Sequence, residues 1–314
     1  MSLNWTNIRN NTLIFFVSTV ITCVIIEVIS GYLVSINKLS YYKYPEENGL
    51  FWQDINKDFG VWRNNNDSFT DVRACFNVTY NTNSYGARDR DRTLTGENRV
   101  LVLGDSFIEG YGVEDEFRVT DLLEKETNLE HLNFGISGDF GSIQQMLLYK
   151  TLASKFEHNK VFIFLLPNND FLDNSFEFGK TFHQERYRPY LDENNNIFYF
   201  NENSNYGQVT SAKKLLVYKL LNKSYFLNAI VTDVIQPLKY KYTLAQTRNA
   251  DGQEELNSQE AIDLGDSYIS MSKKDWETLK YTYEEIANYL NKEVYIFSIP
   301  GRLDFNHYEQ YDDI

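Results

Sequence analysis

The stretch Arg99 to Val113, RVLVLGDSFIEGYGV, decides the fold. Val100, Leu101, Val102 and Leu103 form a short apolar, partly β-branched run, the pattern of a strand covered on both faces in a parallel sheet. Gly104 lets the backbone turn sharply, and Asp105-Ser106 stands where that strand ends. Ligands of open α/β sheets bind at the carboxyl ends of the strands, so a serine placed there is a candidate nucleophile. The tripeptide alone describes a plain strand-to-loop turn equally well, since Gly, Asp and Ser all favour turns.

Two further segments tip the balance. HLNFGISGD at 131–139 reads as a second strand followed by a glycine-bearing loop, and VFIFLLPNND at 161–170 as a third strand ending in two asparagines. In a parallel sheet the three strand ends lie along one rim and bring together Ser106, Gly138 and Asn169. Those residues offer a nucleophile, a backbone N–H with no side chain in the way and a carboxamide donor. Acyl transfer needs such a set, because its tetrahedral oxyanion must be met by donors already in place.

GDSFIEGYGV at 104–113, NFGISGD at 133–139 and PNND at 167–170 together resemble the first three sequence blocks of the SGNH (GDSL-type) hydrolases. NSYGARD at 83–89 is similar to the lead-in of membrane-anchored bacterial members. The resemblance spans roughly residues 80 to 300. It implies a flavodoxin-like three-layer α/β/α parallel sheet, Ser106 as nucleophile, and an oxyanion hole made by the Ser106 and Gly138 amides with the Asn169 side chain. Pro167 and Asn168 replace the two glycines usual in the third block, which shifts the Asn169 loop while keeping its amide.

The family takes its general base and orienting carboxylate from a DxxH block after a further helix and a fifth strand. Asp304 and His307 match those letters but follow the fourth strand almost directly. The chain is therefore read as C-terminally incomplete relative to the family, with an Asp304–His307–Ser106 triad as the minority alternative. Of the other histidines, His131 and His158 are expected at the surface. His183 is a weak candidate base, with Glu185 or Asp192 as partner. Four histidines without close spacing suggest no zinc site, and no phosphate-binding glycine pattern is present, so neither metal nor cofactor is expected.

Thirty basic against forty-four acidic residues give a net charge of −14, which argues against a nucleic-acid partner. Cys23 and Cys75 make no disulfide framework. A short tail, 1–11, precedes an apolar segment, 12–36, long enough to cross a bilayer and interrupted only by Glu27. That carboxylate marks an interfacial position, a helix partner or a functional group. Arg9 before the segment and Lys38 and Lys43 after it leave the orientation nearly unmarked. Family habit implies a single-pass anchor with the domain outside the cytoplasm, facing the periplasm or cell exterior.

Residues 37–98 read as an irregular lead-in with short strands at 60–63 and 75–81. From residue 99 to 314 strands alternate with helices at 117–127, 142–156 and 275–291, and the fourth strand falls at 294–299. An insertion at about 171–274 is too long for a simple connection and is either a cap over the strand ends or a surface extension. The leading expectation is a membrane-anchored esterase acting on a lipid or an O-acylated carbohydrate. The alternatives are an acyltransferase or deacetylase of envelope polysaccharide with the same site, or an inactive binding relic whose fourth strand exposes apolar surface.

Overall fold

The computed structural model describes residues 5–46, 49–208, 211–239, 242 and 273–299. In chain order, α1 (Trp5–Ser35) precedes the strands β1 (Gln53–Asn56), β2 (Gly60–Trp62), β3 (Ser68–Val72) and β4 (Asn77–Asn81). Then come β5 (Arg99–Leu103), α2 (Ser106–Glu109), α3 (Val119–Thr127), β6 (Glu130–Asn133), α4 (Ser142–Thr151) and β7 (Lys160–Leu165). Helices α5 (Pro167–Asn174) and α6 (Phe176–Phe182) follow, with strands β8 (Arg188–Leu191) and β9 (Ile197–Phe200). Helices α7 (Ala212–Leu221), α8 (Tyr225–Ala229) and α9 (Lys273–Tyr289) lead to β10 (Glu293–Ser298).

Chain contacts define two units. The first comprises Met1–Glu47, Val72–Asn77 and Ser211–Tyr242, and the second comprises Asn48–Asp71, Val78–Thr210 and Thr243–Ile314. The expected insertion is thus shared: α5, α6, β8 and β9 belong to the second unit, and α7 and α8 to the first. In the first unit, Thr12–Ser35 of α1 is long and apolar enough to span a membrane.

The second unit is built on a four-stranded sheet of order β10-β7-β5-β6. The pairs β5–β6, β5–β7 and β10–β7 are all parallel. Every residue of β5 is buried, as its unbroken apolar run requires. Leu101 and Leu103 join Leu132, Val161 and Ile163 in a cluster with Met146 and Leu148 of α4 and Leu279 and Ile286 of α9. Val100 and Val102 point the other way, to Ile108, Val119 and Phe164. Period-two alternation has therefore given the sheet two apolar faces, each covered by helix. Because β6 and β7 flank β5 on opposite sides, chain direction across the sheet reverses at β5, and the crevice between the ends of β5 and β7 is the topological switch point.

Three expectations are corrected. The segment after β7 is a helix, α5, and not a loop. Pro167 occupies its first turn, where the fixed φ suits a helix and the missing N–H costs nothing, and Asp170 accepts a hydrogen bond from the Leu166 amide at 2.8 Å. The lead-in is more regular than it reads, because β1 and β3 have too few residues to show a period. His131 and His158 are buried: His131 Nδ1 lies 2.9 Å from the Leu129 carbonyl, and His158 bridges the Phe156 carbonyl and the Tyr149 hydroxyl. Among the described residues β10 is a sheet edge, and its Tyr295, Ile296 and Phe297 are exposed.

Candidate active site

Ser106 begins α2 one residue after the turn at the end of β5. Asp105 caps the helix by accepting from the Phe107 amide at 2.9 Å, which fixes the turn and leaves the serine side chain outside the ladder. Ser106 is partly exposed, and no described residue hydrogen-bonds its hydroxyl. Burial pushes the Asp105 carboxyl up to about 6, against the Phe107 amide and helped by Glu109.

The loop after β6 is fastened to this turn from three directions. The Ile136 amide donates to the Gly104 carbonyl at 3.2 Å. The Asn133 side chain donates to the Ile108 carbonyl at 2.7 Å and accepts from the Gly135 amide at 2.9 Å. The Ser137 amide donates to the Glu109 carboxylate at 2.7 Å. Glu109, wholly buried, also receives Trp52 Nε1 at 2.9 Å and an Arg63 guanidinium nitrogen. Gly138 follows at φ +105°, a conformation that glycine adopts without strain, and its N–H meets no acceptor among the described residues.

Gly135 is needed for a different reason: a Cβ there would collide with the Glu109 amide nitrogen and with Ile108. Backbone cannot swing aside as a flexible side chain can. Gly135→Ala is therefore expected to destabilise the second unit by about 1–3 kcal/mol. A urea melt followed by tryptophan fluorescence should show a lower midpoint, and an unchanged midpoint would contradict this packing.

The third component is α5. Asn169 lies in its first turn, at the rim beside the switch point, and its side chain lies outside the described residues. Asp170 is fully buried and its carboxyl is raised, first by burial and then by the Asp105 charge. One turn on, burial raises Asp173 to about 7, with Arg188 opposing and Asp139 adding to the rise.

The structure also brings a histidine to this rim. His183 ends α6, and its Nδ1 lies 3.3 Å from Oδ2 of Asp139, the residue after Gly138. Its partner is thus Asp139, in place of the expected Glu185 or Asp192. Nε2 is buried and has no hydrogen-bond partner among the described residues. A proton on Nδ1, facing the carboxylate, would leave the lone pair on the enclosed Nε2. Burial lowers the imidazole to about 4, with Asp139 opposing and Arg188 and Arg186 depressing it further, so the ring is neutral at pH 7.

The sequence held no spacing that could have joined Asp139 to His183, since the contact is made through the fold. Asp304 and His307 lie outside the described residues. Asp139, Asp173 and His183 place one potential ligand atom each within 4.8 Å of one another. The two carboxylates already face arginines, Arg186 at 3.4 Å from Asp139 and Arg188 at 3.5 Å from Asp173.

No family model matches the chain, and no curated protein does either.

Proposed function

We propose that this chain is a membrane-anchored serine ester hydrolase of the SGNH type, its α1 helix serving as the anchor. The observation that carries the reading is that Ser106, with no hydrogen bond to its hydroxyl among the described residues, stands at the end of β5 beside the switch point, while the loop of the neighbouring β6 carries Gly138 at positive φ and, next to it, Asp139 paired with His183. The strand order matches the first four positions of the flavodoxin-like order, which supports the same reading.

Ser106 Oγ attacks the acyl carbonyl and gives its proton to the base. The Ser106 and Gly138 amides, with the Asn169 carboxamide, receive the oxyanion. Collapse of the tetrahedral species expels the alcohol, which takes the proton, and water then repeats the sequence on the acyl-enzyme. His183, oriented by Asp139, is assigned the base role ahead of His307. Substrates are acyl esters of a lipid or an O-acylated carbohydrate; a sugar hydroxyl in place of water would make the same site a transferase.

Fluorophosphonate labelling of the detergent-solubilised chain tests this directly, because the probe reports an activated serine whatever the natural ester. Labelling is expected in the parent and in His307→Ala and is expected to be lost in His183→Ala. Loss in His307→Ala with retention in His183→Ala would move the base to the alternative triad, and a folded parent that takes no label would sink the esterase reading.

The pH profile separates the two histidines independently. A His183 base whose pKa is depressed to about 4 stays neutral as the medium is acidified, so kcat/KM on an aryl ester should hold through pH 5 and fall only near 4. A base with the unperturbed imidazole pKa would place the acid limb at about 6.5.

A further inference from the structure

The first unit contains a carboxylate where an apolar helix should have none. Glu27 lies within Thr12–Ser35, about 12 Å along the helix axis from Ser35. If α1 spans a bilayer whose hydrocarbon core is about 30 Å thick, Glu27 is inside that core. It is fully engaged there: the Ser224 hydroxyl donates to it at 2.8 Å, and the Tyr225 and Phe226 amides at 2.5 and 3.4 Å. These groups are the start of α8, so the carboxylate closes the positive end of a second helix.

The contact continues down one stripe of α1. Ser30 and Val34 are buried, and a Cβ on Gly31 would come within 3.1 Å of the Tyr225 ring. Positions 27, 30, 31 and 34 follow the i, i+3, i+4, i+7 spacing of one helix face. A helix that packs on this stripe must lie at its depth. Yet the segment from α7 through the turns after α8 leaves Leu216, Leu220, Leu227, Val234, Ile235 and Leu238 exposed, at 46–61 % of their surface. Ser211–Lys223 also carries Lys213, Lys214, Lys219 and Lys223 without one acidic residue, in a chain of net charge −14.

We propose that residues 211–239 form a membrane-inserted helical element that enters the bilayer beside the C-terminal half of α1. Its ligand is the phospholipid bilayer itself: the exposed apolar side chains meet acyl chains, and the lysines reach the phosphates. Glu27 is the latch between the two helices. The inference rests on α1 being a membrane span, and it converts a single-helix tether into a two-part membrane seat.

Spin labels at Leu227→Cys, Val234→Cys and Val20→Cys, in a Cys23→Ser/Cys75→Ser background and reconstituted into vesicles containing anionic phospholipid, test it. At all three positions dissolved oxygen should relax the label and a water-soluble nickel chelate should not. Nickel relaxation at 227 and 234 with oxygen relaxation at 20 would overturn the inserted element and leave the span standing. Protection from both reagents at 227 and 234 would mean that protein, such as a second copy of this chain, covers the surface, and would overturn it too. Nickel relaxation at 20 would remove the span and the inference together. Adding Glu27→Ala should open the latch, so the 227 label loses part of its protection from nickel; an unchanged signal would refute the latch.

Discussion

Ser106→Ala is expected to reduce hydrolysis of a short-chain aryl ester by at least about 10³-fold and to abolish fluorophosphonate labelling, with no loss of fold. The fold should survive because the hydroxyl makes no hydrogen bond to a described residue, and the cap that shapes the turn belongs to Asp105. Alanine also suits the first turn of a helix. Removing Oγ thus removes the nucleophile while the Ser106 and Gly138 amides keep their places. That separation makes the variant informative: its melting curve should overlay that of the parent, and the loss should appear in kcat. A variant that retained turnover would place the chemistry elsewhere, and one that lost turnover together with its fold would leave Ser106 a structural residue.

Much of this site was legible in the sequence because its parts are local. A buried strand announces itself by an unbroken apolar run, and the residue after it is at the rim by topology alone. Ser106 and Gly138 were therefore placeable from Val100–Leu103 and the 131–139 segment, and each of the four parallel strands starts within one residue of where its apolar run begins. What the sequence concealed depends on distant pairs. Arg63 and Glu109 are forty-six residues apart, and each is of a type that normally faces water, so nothing in either neighbourhood predicts burial. Asp139 and His183 lie forty-four residues apart in sequence, on the loop after β6 and at the end of α6, and meet only in the fold. The α5 helix itself was missed because the resemblance suggested a loop there, although Pro167 at its first turn was the readable sign of a start.

The same concealed pair yields the second large effect. Glu109→Ala is expected to cost about 3–5 kcal/mol, since Arg63 would keep a fully buried charge without its counter-ion. The Ser137 amide and Trp52 Nε1 would lose their acceptor as well. Set against a total stability of about 5–15 kcal/mol for a typical domain, that loss brings the unit close to unfolding. The double variant Arg63→Met/Glu109→Leu removes both charges and fills much of the space, so most of the stability should return, as it does when buried ion pairs are replaced by apolar packing. Activity should not return with it. The carboxylate that holds the Ser137 amide at 2.7 Å is gone, and Gly138 is the next residue along that loop. An oxyanion donor that is no longer held in position costs on the order of 10²-fold in rate. The double variant should therefore melt near the parent in urea yet label with fluorophosphonate about 100-fold more slowly. If labelling recovers in step with stability, the Arg63–Glu109 pair only supports the fold; if stability recovers alone, the pair positions the Gly138 loop, Glu109 through the Ser137 amide and Arg63 through the Gly135 carbonyl.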